Sequence, residues 1–204
     1  MSVSQQLLIA TTNPKKLKEF EELFTGLPLE MISLKNFSDI REVEETGKTF
    51  EANAELKALG YAKQAGLLTL ADDSGLCCEA LEGAPGVYSA RFSGEGKSDA
   101  ENNQKLLRLL EKVPVNCRGA YYQSVIAIAE PEKLIGLASG EVHGVIHSQL
   151  AGTGGFGYDP LFFYPPYQKT FGEVSAEMKH RISHRAVAFQ RAKKVLFQYL
   201  TAKK

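Results

Sequence analysis

The chain has 204 residues, 44% hydrophobic and 24% charged, the balance of an ordinary globular protein with length enough for a sizeable core. Its 24 Lys and Arg offset its 24 Asp and Glu, so no global field draws it to nucleic acid or to an anionic membrane, and any anion must be held by a local cluster. No apolar run reaches membrane-spanning length, Met1–Gln6 lacks a leader pattern, and three cysteines in neither metal nor disulfide spacing fit a reducing cytoplasm.

Gln6–Thr11 reads as a first strand. Pro14 then suits the first turn of a helix with Leu17, Phe20 and Phe24 on one stripe, stopping at Gly26. Leu29–Ser33 is a second strand. An acidic stretch follows (Glu42, Glu44, Glu45, Glu51, Glu55), and Thr49 opens a long helix that runs to Gly66. The apolar run Gly66–Ala71 has the length of a buried strand and ends in Asp72, Asp73 and a Ser74-Gly75 turn, with strand resuming over Leu76–Ala80. Gly83-Ala84-Pro85-Gly86 is a turn. Ser98 and Glu101 form a capping box for a helix carrying Leu106, Leu109, Leu110 and Val113.

Arg118–Ala129 and Lys133–His147 are strand-like runs about a Glu130-Pro131 turn, which predicts an antiparallel hairpin. A glycine-rich loop at 152–157 leads to the short aromatic run Leu161–Tyr164, and a last amphipathic helix spans Arg185–Leu200 in a basic C-terminal part. The sum is a mixed α/β fold with a partly antiparallel sheet flanked by helices. It reads as one domain over residues 1–204, in two lobes that no linker separates.

Three motifs fail on inspection. Thr46-Gly47-Lys48-Thr49 resembles the tail of a phosphate-binding loop, but position 42 is Glu where that loop needs Gly, and the flanking glutamates repel a triphosphate. Gly152-Thr153-Gly154-Gly155-Phe156-Gly157 has dinucleotide-fingerprint spacing, yet turn and strand follow it where a helix is required. His143/His147 sit too far apart in a strand to chelate one ion, and His180/His184 lack a third ligand for zinc.

Chemistry concentrates elsewhere. Thr11-Thr12-Asn13-Pro14-Lys15-Lys16 lies at a strand-to-helix junction, where free N–H groups, the helix dipole and paired lysines favour a phosphate; an Asn cap before Pro fits the same residues. Asp72 and Asp73 point to opposite faces of their strand, so one can enter a site while the other pairs with a cation or caps backbone; a simple Asx-turn is the competing reading. A carboxylate of the Glu42–Gly47 loop, paired with one of these aspartates, can hold Mg²⁺, or the loop is merely solvated. Ser183-His184-Arg185 offers hydrogen-bonding groups, or an N-capping Ser beside surface cations, and Phe156 and Tyr158 offer rings to a base.

In that order the blocks Thr11-x-Asn13-x-x-Lys16, Glu44-Glu45-Thr46-Gly47, Ala71–Leu76, Gly83–Arg91, Gly152–Pro160, Lys179 and Ser183–Arg185 resemble the inosine/xanthosine triphosphate pyrophosphatase family, over nearly the whole chain from Ala10 to Arg185. The resemblance implies an elongated α/β fold with two lobes around a central nucleotide-binding cleft, and a homodimer. It implies hydrolysis of ITP, dITP and XTP to monophosphate and pyrophosphate, with Mg²⁺ as cofactor and neither nucleic acid nor membrane as partner. Thr11, Thr12, Asn13, Pro14, Lys15 and Lys16 would grip the triphosphate. Glu45 and Asp73 would bind the metal, with Asp73 also the catalytic base and Ser74 a substrate contact. Phe156, Gly157, Tyr158, Asp159, Lys179, His184 and Arg185 would hold the nucleotide and its 6-oxo purine. Thr12 stands where many members have Gly, which predicts strain if that position needs positive φ. The rival readings are a related pyrophosphatase for modified pyrimidine triphosphates and a non-catalytic nucleotide-binding module.

Overall fold

The computed structural model describes residues 5–26 and 29–202; residues 1–4 of the Met1–Gln6 opening lie outside the described residues. The strands are β1 (Gln5–Ile9), β2 (Leu29–Ser33), β3 (Leu68–Cys78), β4 (Gly119–Glu130), β5 (Lys133–Ile146), β6 (Phe162–Tyr164) and β7 (Lys169–Thr170). The helices are α1 (Pro14–Phe24), α2 (Phe50–Ala65), α3 (Asp99–Leu109), α4 (Ala176–Ile182) and α5 (His184–Ala202). The strands form a seven-stranded sheet in the order β2-β1-β3-β4-β5-β6-β7. β1 runs parallel to both β2 and β3, with Leu7 opposite Met31 and Leu68, whereas β5–β6 and β6–β7 are antiparallel. The short link between the neighbouring strands β4 and β5 is one that only antiparallel pairing allows. The sheet is therefore mixed, as the sequence predicts.

The chain forms two compact units, residues 1–73, 124–140 and 186–204 in the first and 74–123 and 141–185 in the second. In the first, Leu7 and Ile9 of β1, Leu68 and Leu70 of β3, and Ile126 and Ile128 of β4 meet Phe20 and Phe24 of α1 and Phe189, Ala192 and Leu196 of α5. Phe24 and Phe189 pack edge to face with centroids 4.7 Å apart. Each such buried ring contributes about 1.5–3 kcal/mol through the area it removes from water. α1 starts where it does because Asn13 Oδ1 accepts from the Lys15 and Lys16 amides and Pro14 occupies the first turn. Thr49 caps α2, and Gly66 ends it at φ +68°.

In the second unit, Leu76 and Cys78 of β3, Tyr122 of β4 and Val142 and Ile146 of β5 pack with Leu106, Leu110, Tyr158, Leu161, Phe162 and Phe171. The expected capping box is present: Ser98 Oγ accepts from Glu101 N, and the Glu101 carboxylate accepts from Ser98 N.

Two expectations need correction. Ser74-Gly75 is no turn, and strand does not stop and resume; β3 runs unbroken from Leu68 to Cys78, and Glu79–Leu81 is a 3₁₀ turn. Gly75 serves close approach instead: a Cβ there would collide with the Gly86 carbonyl oxygen and Ser89 Oγ. Ser89 Oγ accepts from the Leu76 amide and donates to Gly86 O, so the strand needs the turn beside it. α4 is an additional helix, capped by Ser175; Ser183 ends it and, with extended backbone, stands at the N-cap position of the last helix, which begins at His184.

Candidate active site

β3 alternation sends Asp72 and Asp73 to different partners. Lys16 Nζ lies 3.1 Å from Asp72 Oδ2, and Lys57 Nζ lies 3.2 Å from Asp73 Oδ1. The same Lys57 ammonium donates to Glu45 Oε1 at 2.6 Å, so two carboxylates, one from the loop before α2 and one from β3, converge on one cation. Asn53 Nδ2 donates to Asp73 Oδ2 at 3.1 Å, and Asn53 Oδ1 accepts from Gly47 N at 2.7 Å. That amide thereby ties the Glu45 loop to the aspartate. Asn53, Lys57, Asp72 and Asp73 are all buried.

Burial is the largest influence on Asp73 and raises its carboxyl above the usual range; Lys57 and Lys16 pull it down, and Glu45 adds to the rise. Lys57 is held above its ordinary value: burial opposes its charge, but Asp73, Asp72 and Glu45 together outweigh it. The two directions agree, because the lysine faces several carboxylates while the aspartate loses most of its water. Since one ammonium already touches Glu45 and Asp73, their oxygens can share one cation. Among the described residues no group of three or more His, Cys, Asp or Glu forms a metal cage. Two carboxylates suit Mg²⁺, which takes one or two and completes its shell with water and substrate phosphate.

At the amino end of α1, Thr11 Oγ1 accepts from Asn13 N and Asn13 caps the helix. Pro14 and Lys15 are exposed, as is Thr12. Thr12 is not among the non-glycine residues with positive φ, which are Glu82 and Gln168 among the described residues, so the expected strain is absent. The Lys16 ammonium pairs with Asp72.

The second unit assembles the other residues. Asp159 and Lys179 form a buried pair at 2.6 Å, and Asp159 Oδ2 also accepts from Phe156 N at 2.8 Å. Gly157 N donates to Asp99 Oδ2, and Gly157 O accepts from Asn103 Nδ2. The Phe156 ring carries Lys179 Nζ at 4.6 Å and the Arg185 guanidinium carbon at 5.7 Å. Arg185 Nη2 donates to Ser74 Oγ at 3.0 Å, and His184 stacks on Tyr122 with centroids 4.7 Å apart. Tyr158 is a correction: it is buried and its hydroxyl donates to Ser89 O, so it anchors the loop and presents no face to a base.

Sequence reasoning passed over Lys57, Asn53 and Tyr122. For the first two a signal existed, since both fall on the stripe Phe50, Ala54, Ala58, Tyr61 that α2 buries. A polar pair four residues apart on an apolar stripe needs a buried partner.

A mixed sheet bearing a buried acidic cluster and a capped helix terminus is the architecture of an α/β enzyme. The sequence profile of the Ham1 family matches residues 7–195. A dITP/XTP pyrophosphatase of Desulforamulus reducens is 52% identical over 191 residues, covering 94% of this chain and 95% of that protein. One of Listeria monocytogenes is 48% identical, covering 95% of each. The solved structure of a HAM1 protein from Coxiella burnetii superposes with a TM-score of 0.87 at 40% identity, covering 95% of this chain and 99% of that one. The protein belongs to the Ham1 family.

Proposed function

We infer that this protein hydrolyses deaminated purine nucleoside triphosphates, dITP and XTP with ITP, to the monophosphate and pyrophosphate. The observation that carries the reading is the convergence of Glu45 and Asp73 on one cation position. The near-full-length similarity to dITP/XTP pyrophosphatases supports it.

In this reading Thr11–Lys16 hold the polyphosphate, through hydroxyl and amide donors, the lysines and the positive end of α1. Lys16 exchanges part of its contact with Asp72 for phosphate oxygens. Asp73 orients the water that attacks the α-phosphorus and takes its proton. Burial raises its carboxyl above the ordinary value of about 4 in the metal-free protein, and its main contribution is to fix the position of the attacking water. Glu45 and Asp73 would hold Mg²⁺, which when bound offsets charge developing on the departing pyrophosphate. Lys57 balances the paired carboxylates before substrate arrives, and Asn53 keeps Asp73 oriented.

The base falls to the second unit's residues. Phe156 offers a ring flanked by cations, and Ser74 contacts substrate beside Arg185. Donors from His184 and Arg185 match a 6-oxo group, whereas the 6-amino group of adenine brings donor against donor; such mismatch discriminates by about 10⁴-fold. The free thiols Cys77, Cys78 and Cys117 fit a reducing cytoplasm. A homodimer completes the reading on the family resemblance.

The test is a screen of purified protein with Mg²⁺ against dITP, ITP, XTP, dGTP, dATP, dTTP and dUTP, resolving pyrophosphate from orthophosphate. Pyrophosphate from the deaminated purines alone is expected. Release from pyrimidine triphosphates in preference to purines, or binding of dITP without turnover, overturns the reading in favour of its rivals.

A further inference from the structure

We propose that Tyr122 is the positioning residue that sets base selectivity, by holding the Phe156–Asp159 loop and His184 in one fixed relation. The proposal rests on the reading of those two elements as contacts to the base.

β4 alternation buries Ala120 and Tyr122 in the second core while Tyr121 and Gln123 remain half-buried. The Tyr122 ring lies nearly parallel to the His184 imidazole, 11° between planes, and Phe162 packs against it at 4.7 Å. Its hydroxyl donates to the Asp159 carboxylate and accepts from the Tyr158 amide. That carboxylate is the one that takes the Phe156 amide and the Lys179 ammonium. One side chain therefore meets two segments far apart in sequence, the ring acting on the imidazole and the hydroxyl acting on the loop.

Packing alone does not need the hydroxyl. A Phe would fill the same space and stack the same way, and a buried phenol is kept only where its polar end has partners. Asp159 is fully buried, so each donor it receives fixes the direction of the backbone that carries Phe156 and Gly157. Removing the Tyr122 donor leaves the loop looser around the purine edge. A looser loop admits the 2-amino group that distinguishes guanine from hypoxanthine, a group that donors to a shared 6-oxo oxygen cannot exclude. Selectivity of this kind depends on shape, and shape here depends on the phenol.

The two functions separate by variant. Tyr122→Phe keeps the stack and removes the hydroxyl; Tyr122→Leu removes both. Steady-state pyrophosphate release from dITP, dGTP and dATP, with melting temperature as control, reads the outcome. Tyr122→Phe is expected to raise KM for dITP about tenfold with kcat changed less than about threefold, and to lower the dITP-over-dGTP ratio of kcat/KM about tenfold. Tyr122→Leu lowers that ratio further. An unchanged ratio in Tyr122→Phe, or losses equal for every triphosphate that track the melting temperature, overturns the proposal. Should wild-type protein release no pyrophosphate from any purine triphosphate, the catalytic reading fails separately. Calorimetric binding of IMP against GMP then decides this proposal: a preference reduced in Tyr122→Phe upholds it, and a preference unchanged or absent in the wild type overturns it.

Discussion

Lys57 Nζ stands 3.2 Å from Asp73 Oδ1 while both side chains are buried, and the same ammonium reaches Glu45 Oε1 at 2.6 Å. Helix α2 thus supplies a positive charge where the acidic loop before it and strand β3 supply negative ones. Without the lysine, two carboxylates would face each other with little water between them. Such a cluster is preorganised for a cation and for an anionic substrate at once, because the lysine can give up one carboxylate when another charge arrives.

Lys57→Met keeps the bulk of the side chain and removes its charge. Breaking a buried pair leaves uncompensated charge, so stability at about pH 8 should fall by about 3 kcal/mol. The sign follows from Lys57 being held above its ordinary 10.5: its contribution is complete below 10.5 and is lost as pH rises through the higher folded value. Urea melts at neutral and strongly alkaline pH read both points. Equal losses at the two pH values would contradict the ion-pair account.

Asp73→Asn separates chemistry from stability. If Asp73 is the base and a metal ligand, as proposed, its loss lowers kcat about 10²–10⁴-fold. Because burial holds the folded carboxyl above its ordinary 3.8, the group's contribution to stability is complete below 3.8 and is lost as pH rises through the folded value. The neutral amide escapes that loss, and Lys57 is not left uncompensated because Glu45 Oε1 remains 2.6 Å from its ammonium. The variant should therefore melt higher than wild type at about pH 7.5, with the advantage shrinking at about pH 4.5. Thermal scans across that range check it, and a variant less stable than wild type at both pH values would refute it.

What could be read from residues alone was whatever depends on local chemistry. Asn13-Pro14 announced a helix start, Ser98 and Glu101 a capping box, and the apolar run before Asp72 a buried strand, because caps and alternation act within a few residues. Gly75 misled for the opposite reason. Ser-Gly has turn chemistry, and only the approach of Ser89 and the Gly86 carbonyl, eleven or more residues on, makes glycine a strand residue there. Lys57 was passed over because its partners Glu45 and Asp73 come from other segments. Tyr158 read as a stacking ring because aromatic residues beside a glycine-rich loop are as suited to a ligand as to a core; its burial and its bond to Ser89 O settle which. α4 was missed because a helix of seven residues has too few turns to show periodicity, and Ser175 alone marks its start.

The pair Lys179–Asp159 tests whether the second unit's cluster is held by charge or by shape. Both side chains are buried with 2.6 Å between Nζ and Oδ2, so neither can turn to water for compensation. Lys179→Met takes from Asp159 the ammonium that lies 2.6 Å away, while the Phe156 amide and the Tyr122 hydroxyl remain. That should cost about 3–5 kcal/mol of stability, and KM for dITP should rise as the loop around Phe156 relaxes. Adding Asp159→Asn removes the stranded charge while keeping an oxygen for the Phe156 amide, so the double variant should recover a good part of the loss, on the order of 2 kcal/mol. Urea melts of both single variants and the double one complete the cycle. Additive losses would mean that the lysine contributes through its packing on Phe156 and Phe171 rather than through the carboxylate.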